Sequence, residues 1–211
     1  MNEAINAQLK ELRDYQGTHV QVARNMLKAG GGAGYLLDIL ATAVLNRSLA
    51  LLSGFCSLIE ARNFICAAPL IRLQIDNCLR FYAASLVRNE DSFVRDILRG
   101  IPVRKLKDRN NKPMTDKFLV DKLSEKHFWL ARVYAETSGY VHLSEKHIIS
   151  SIRASESEKD FTTIRFKVSM EDADLEDEVY LGAIHAFKVI TDLLLEYLRN
   201  WTCIKDNSKQ I

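Results

Sequence analysis

The sequence predicts an all-α fold, a single helical bundle of about six or seven helices with one inserted β-hairpin. Only 3 proline and 9 glycine residues interrupt the 211-residue chain, which are too few turn residues for a fold of many short strands. Apolar residues make up 47% of the chain and charged residues 27%, which is typical of a soluble globular protein. A chain of this length buries a core without a disulfide or a metal, so we expect residues 1–211 to form one domain.

Long helices separated by short connections are expected in the N-terminal half. Asn2–Tyr15 and Val20–Ala29 form either one interrupted helix or two short ones, with the break near Gly17. Tyr35–Ile59 and Phe64–Leu86 are apolar on almost every side, which is typical of a helix at the centre of a bundle or against a partner subunit. We therefore expect these two helices to form an antiparallel central pair, and the chain to form a homodimer through one of them.

The segment Gly30–Gly34 is the most conspicuous low-complexity stretch. A phosphate-binding loop needs Gly-Lys-Ser/Thr at its end, and a dinucleotide-binding fingerprint needs a preceding strand. Here Tyr35 follows the glycines, and the residues before them have a helical pattern. We interpret the segment as a flexible connection between helices.

The C-terminal half begins with a short helix and a basic loop. Asn89–Leu98 is the expected helix, and residues 99–114 form a polar loop with six basic side chains and one Asp in or beside its core. Thr115 and Asp116 offer a helix start, from which an apolar stripe runs toward Val141.

A two-residue period then replaces the helical one. Ile164, Phe166 and Val168 alternate with basic residues, and His147–Ile152 could supply the partner strand, which together predict the inserted β-hairpin over about residues 147–168. An acidic run that ends at Glu178 opens the last helix, because negative charge is favourable at a helix N-terminus.

The hydropathy of the chain and its cysteine spacing indicate a soluble cytoplasmic protein. The longest charge-free apolar stretch, Ser48–Ile59, is too short to span a bilayer, and the N-terminus lacks the basic and apolar regions of a signal peptide. The four cysteines show no CxxC spacing. Buried reduced thiols are the favoured interpretation, and a zinc site or a disulfide is the alternative.

Two groups of polar residues lie where helices usually carry apolar ones. Each group has four-residue spacing, so its members share one helix face. The groups are Arg72, Asp76 and Arg80 on the second long helix, and Tyr134, Ser138 and His142 further along the chain. We expect Arg72 and Asp76 to form a local ion pair and to meet Tyr134, Ser138 and His142, either as a polar layer that fixes helix register or as a ligand or catalytic pocket.

A family resemblance rests on these same residues. The stretches Leu70–Asp76 and Tyr134–Ser144 resemble uncharacterised bacterial helical proteins, which are loosely similar to the HEPN superfamily of helical bundles in toxin–antitoxin and defence systems. The resemblance covers roughly Tyr35 to His147. It implies a bacterial, dimer-forming bundle in a stress or defence setting and carries no established activity.

The ribonucleases of that superfamily carry Arg, four to six residues, and then His. One match to this spacing, Arg13 to His19, contains Gly17 and lies outside the region of resemblance. His142 has no arginine at the required distance, since Arg132 lies ten residues before it. Cleavage of RNA is therefore not expected from either segment.

The basic loop is the other candidate for nucleic-acid contact, through Arg104, Lys105, Lys107 and Arg109. Such side chains could follow a phosphate backbone, but no aromatic residues are interleaved for base stacking, and the net charge of the chain is only +2. A solvated loop is the favoured interpretation, and we expect no nucleic-acid partner.

These observations predict a non-enzymatic binding or interaction module, a homodimer that could also bind a protein partner, with no membrane association. The alternative is an RNA-binding or RNA-cleaving protein of HEPN type. No complete catalytic motif, metal site or cofactor motif is found: the histidines lack HExxH spacing, no serine lies in GxSxG, and no cysteine has an adjacent histidine.

Overall fold

The computed structural model describes residues 2–156, 162–166, 168–169 and 175–207. These residues are mostly helical, as the sequence predicts. In chain order the elements are α1 (Glu3–Lys28), α2 (Leu36–Glu60), α3 (Phe64–Ala84), α4 (Glu90–Leu98), α5 (Asp116–Ser124), α6 (Leu130–Ser138), α7 (Glu145–Ser150), β1 (Ile152–Glu156), β2 (Thr162–Phe166) and α8 (Asp177–Asn207).

Helix α3 lies at the centre of the bundle and packs against α2, α8, α5 and α6. The short connection Ala61–Asn63 folds α3 back along α2, and α1 packs against both α2 and α8. Side chains of α1 to α6 and of α8 join in one hydrophobic cluster, in which Phe55 of α2 stacks on Phe187 of α8 with ring centroids 4.5 Å apart. The bundle therefore has a single core, and α3 reaches nearly every part of it.

Helix α1 is continuous through Gly17, so the break expected there is absent from the structure. A glycine inside a helix costs about 1 kcal/mol relative to alanine. Leu12, His19 and Val22 are buried on either side of it, and their packing outweighs that cost.

The glycine-rich segment forms a defined 3₁₀ turn rather than a flexible connection. Gly30, Gly31 and Gly32 have φ angles of 61°, 68° and 80°, a left-handed conformation that glycine adopts without steric cost. A Cβ on Gly30 would lie 3.3 Å from the carbonyl oxygen of Lys205, so the turn also packs closely against the end of α8. The side chain of Asp206 accepts a 2.8 Å hydrogen bond from the Gly30 amide.

The helix predicted from Asp116 toward Val141 is wrong in its continuity, because the chain turns between α5 and α6. The amide of His127 returns to the carbonyl of Leu123 over 3.1 Å, and that of Leu130 to His127 over 2.9 Å. This turn lets α5 and α6 pack against α3 and also against each other, which one straight helix cannot do.

The β-hairpin predicted over residues 147–168 is not seen in that form. Residues Glu145–Ser150 are the helix α7, so the expected first strand begins too early. A short apolar run such as Ile148-Ile149 fits a helix and a strand equally well, which explains the error. Strands β1 and β2 pair antiparallel with Ile152 opposite Phe166, and residues 157–161 lie outside the described residues. Strand β1 packs mainly against β2 and α7, not against the central helices.

Helix α2 is the one described helix that is long and apolar enough to cross a membrane, and 44% of its most apolar 18-residue stretch is buried. It packs against α1 and α3 within the bundle, and a core helix has the same composition. A soluble protein is compatible with this arrangement, and the cytoplasmic location stays a prediction. Cys56 and Cys78 are buried as expected, whereas Cys66 and Cys203 are exposed, and all four thiols are free.

Candidate functional site

Helix α3 carries three charged side chains on one line beside the core. Arg72, Asp76 and Arg80 are four residues apart, and their side chains are only 13%, 17% and 25% exposed. Ile75 and Leu79 next to them are fully buried. Charges this close to the core need partners, because loss of hydration disfavours a charged group.

Asp76 receives one arginine on each of its carboxylate oxygens. Arg80, one turn further along α3, lies 2.6 Å from Oδ1 through Nη2. Arg47 of α2 lies 2.9 Å from Oδ2 through Nη1. Asp76 therefore ties α3 to α2.

Asp116 repeats this arrangement on the other side of Arg80. Its Oδ1 accepts from Arg80 Nη2 at 2.6 Å, and its Oδ2 lies 3.4 Å from Arg72 Nη2. Asp116 is the first residue of α5, directly after the N-cap Thr115, whose side chain accepts from the Phe118 amide. The cap fixes the start of α5 and, with it, the carboxylate between two arginines of α3.

Arg72 also contacts Tyr134 of α6 in two ways. Its Nη2 donates a 2.6 Å hydrogen bond to the Tyr134 hydroxyl, and its guanidinium carbon lies 3.8 Å from the centre of the ring. An arginine combines a hydrogen bond and a stacked cation–π contact in this way more readily than a lysine. We call the whole set the arginine network: Arg47, Arg72, Asp76, Arg80, Asp116 and Tyr134.

The arginine network has an excess of positive charge and of hydrogen-bond donors. Three guanidinium groups face two carboxylates, which leaves one positive charge in excess. Each guanidinium offers five N–H donors. Within the described part of the chain, Nη1 of Arg80 is buried and has no hydrogen-bond partner. The network therefore carries one more positive charge and at least one more donor than its two carboxylates satisfy.

Three of the five predicted pocket residues take part in this network, although in a different pairing. Arg72 and Tyr134 are in direct contact, and Asp76 joins them through Arg80 and Asp116 instead of pairing with Arg72. Ser138 donates to the Tyr134 carbonyl of its own helix, at 2.6 Å. His142 is exposed and lies beyond the end of α6.

Sequence reasoning missed Arg47 and gave Asp116 only the role of a helix start. Arg47 is the single basic residue within the apolar α2, and this isolation was a usable signal. The sequence offers no such signal for Asp116 beyond its place in the first turn of α5, because its partners Arg80 and Arg72 lie 36 and 44 residues earlier in the chain.

A second polar network lies inside the core and contains His19. Its Nδ1 lies 2.7 Å from the Tyr15 carbonyl and therefore donates to it, which leaves Nε2 to accept from Ser48 Oγ at 2.8 Å. Gln74 donates to Ser48 Oγ at 2.6 Å and to Thr191 Oγ1 at 2.9 Å. Burial lowers the pKa of the His19 imidazole below its usual range, and the hydrogen bond to Tyr15 opposes this only in part.

The spacing of Arg13 and His19 does not produce a shared site. His19 is 1% exposed within the core, whereas Arg13 lies at the surface against Glu60, 2.5 Å away. A phosphate backbone at Arg13 would not reach the imidazole, so the ribonuclease interpretation of this pair has no structural support.

The predicted basic loop is a compact turn around a buried aspartate. Asp108 Oδ1 accepts from the amides of Asn110 and Lys112 at 2.9 and 2.8 Å. Arg109 donates to the carbonyls of Ser85 and Leu86 at the end of α3, at 2.5 and 3.1 Å. The remaining predicted contacts, Arg104, Lys105 and Lys107, are exposed.

Comparison with protein-family models, curated proteins and solved structures finds no match to this chain. Among the described residues, no group of three or more His, Cys, Asp or Glu side chains is placed to hold a metal ion. The resemblance to HEPN bundles stays a prediction, and the functional argument rests on the geometry of the arginine network.

Proposed function

We propose that this chain is a non-enzymatic binding module that takes an oxyanion at the arginine network. One observation carries the proposal: the buried Nη1 of Arg80 has no hydrogen-bond partner among the described residues and lies inside a cluster with an excess positive charge. A buried donor without a partner costs about 1–3 kcal/mol, and an anionic oxygen would remove that cost.

Binding suits this cluster better than proton transfer. An arginine does not release its proton in a protein, and both carboxylates already accept from arginines. Arg72 is further held by the hydroxyl and ring of Tyr134. Side chains held in this way form a preorganised site for a carboxylate, sulfate or phosphate group.

Self-association and the bacterial stress or defence setting belong to the same proposal but rest on other grounds. The setting follows from the family resemblance alone. A homodimer is supported by α2, the most apolar helix, on which Ile39, Ala43 and Ala50 face outward. A second copy of α2 is the partner that such a face would accept.

The experiment is an anion titration followed by thermal unfolding at constant ionic strength, with phosphate, sulfate and acetate replacing chloride. A ligand that binds only the folded state raises the Tm with the logarithm of its concentration above Kd. Arg80→Lys keeps the charge but loses the planar donor array, so the saturable rise in Tm should disappear.

Arg132→Lys is the matched control, because Arg132 is an exposed arginine of α6 whose ion pair, with Glu136, lies within its own helix. The rise in Tm of this control also measures the general stabilisation that sulfate and phosphate give to any protein, so that it can be subtracted. Equal anion responses in the wild type and in Arg80→Lys would refute the proposal.

A further inference from the structure

A cavity of about 470 Å³ lies where the C-terminal end of α3, the turn at residues 108–110, the end of α5 and the middle of α8 meet. Its volume falls within the range of small-molecule sites. Its ionisable lining consists of two tyrosines, three basic residues and two carboxylates: Tyr82, Tyr197, Arg109, Lys122, Lys126, Asp108 and Glu125.

Two tyrosines form one wall of this cavity. The rings of Tyr82 and Tyr197 meet edge to face, with centroids 5.4 Å apart. Neither hydroxyl forms a hydrogen bond with another described residue, although both residues line the cavity. Burial raises the pKa of both phenols, and the proximity of Tyr82 raises that of Tyr197 further. Both hydroxyls therefore stay protonated near neutral pH and can donate.

Three basic side chains also line this cavity. Arg109 is held in place by the Ser85 and Leu86 carbonyls, which it caps. Lys122 pairs with Glu125 at 2.8 Å, and Lys126, one turn further, is exposed and has no ion-pair partner in the described part of the chain. Asp108 accepts from the Asn110 and Lys112 amides, and Glu125 is paired with Lys122, so the three cations leave one positive charge in excess beside the two neutral hydroxyls.

We propose that this cavity binds the phosphate group of a small organic phosphomonoester, with the Tyr82 and Tyr197 hydroxyls donating and Lys126 supplying charge. A phosphomonoester carries close to two negative charges near neutral pH and three acceptor oxygens, which suit several donors from different directions. The cavity is larger than a phosphate group, so the organic part of the ligand has space beside it.

The test is calorimetric titration of the full chain with AMP, and with inorganic phosphate as the second probe. We expect saturable binding of AMP, tighter than that of inorganic phosphate because the organic part adds contacts. Replacing both tyrosines by phenylalanine keeps the rings and removes the hydroxyls, and should raise the Kd for AMP about tenfold or more.

Lys126→Gln should weaken AMP binding by a similar factor, and it keeps the test valid if the double tyrosine variant does not fold, because Lys126 is exposed. Lys117→Gln is the matched control, since Lys117 is an exposed lysine of α5 that pairs with Asp121 and does not line the cavity. Absence of saturable AMP binding, or a Kd that neither substitution changes, would overturn the proposal.

Discussion

Replacement of Asp76 by asparagine should destabilise the free protein and strengthen anion binding at the same time. Asp76 forms an ion pair with Arg80 at 2.6 Å and accepts a hydrogen bond from Arg47 at 2.9 Å, and the side chains of Asp76, Arg80 and Arg47 are 17%, 25% and 41% exposed. An exposed ion pair contributes about 0.2–1 kcal/mol, whereas breaking a buried pair costs about 3–5 kcal/mol. These half-buried pairs lie between the two limits, so we expect a loss of about 1–2 kcal/mol.

For a chain of this length, that loss corresponds to a Tm lower by roughly 2–8 °C. The same substitution removes one of the two carboxylates that compete with a bound anion for Arg80. The Kd for phosphate should therefore fall roughly fivefold, equivalent to about 1 kcal/mol.

The assay is thermal unfolding with and without phosphate at constant ionic strength. Asp121→Asn is the control, because Asp121 forms an exposed pair with Lys117 on α5. A Tm within one degree of the wild type would show that Asp76 is not held by its arginines. A lower Tm with an unchanged phosphate response would show that the network is only structural.

Four other outcomes are expected. Lys205 is fully buried and donates to Asp38 and to the Met26 carbonyl, both at 2.9 Å. Lys205→Met should therefore lower the free energy of unfolding, measured in urea, by about 3–5 kcal/mol, because it leaves the Asp38 carboxylate without its cation. The double variant Lys205→Met, Asp38→Asn should lose less. Burial lowers the pKa of His19 below 6.5 in the folded state, so the unfolded chain takes up the proton at a higher pH than the folded chain. Stability should therefore decrease as the pH falls below about 6.5. The urea midpoint of His19→Gln should decrease less over the same pH range. Sedimentation should show a dimer at micromolar concentration that Ala50→Arg shifts to the 24.0 kDa monomer, and a monomeric wild type would contradict this. Filter binding should show no RNA retained at physiological salt, and a salt-sensitive signal that is lost when Arg104, Lys105 and Lys107 become alanine would contradict it.

Helical periodicity predicted most of the fold because burial repeats along a helix with a fixed spacing. The boundaries of α2, α3 and α4 agree with the predicted segments within a few residues. The turn between α5 and α6 was missed because Leu123 and Leu130 are seven residues apart and suit one helix stripe equally well. Only their packing against a third helix, which is a tertiary contact, requires the chain to turn there.

The same limit applies to the site. The charges of Arg72 and Asp76 on an otherwise apolar helix predict a polar site, because charged residues need partners when they are half-buried. Tyr134, Ser138 and His142 share one face only if the helix continues through His142. Helix α6 ends at Ser138, so His142 does not lie on that face. Extrapolation along a helix is therefore reliable only up to its last hydrogen-bonded turn.

The basic loop shows why a local count of charges does not identify a binding surface. Arg109 carries a positive charge in the sequence, but in the fold its guanidinium caps the carbonyls of Ser85 and Leu86 at the end of α3. Favourable interaction of a cation with a helix C-terminus is sufficient reason for its presence. In the arginine network the opposite holds, because no residue that the structure describes accepts from the buried Nη1 of Arg80. A buried cationic donor that has no partner among the described residues therefore favours a candidate anion site over a purely structural role, and whether such a donor exists depends on contacts between distant parts of the chain.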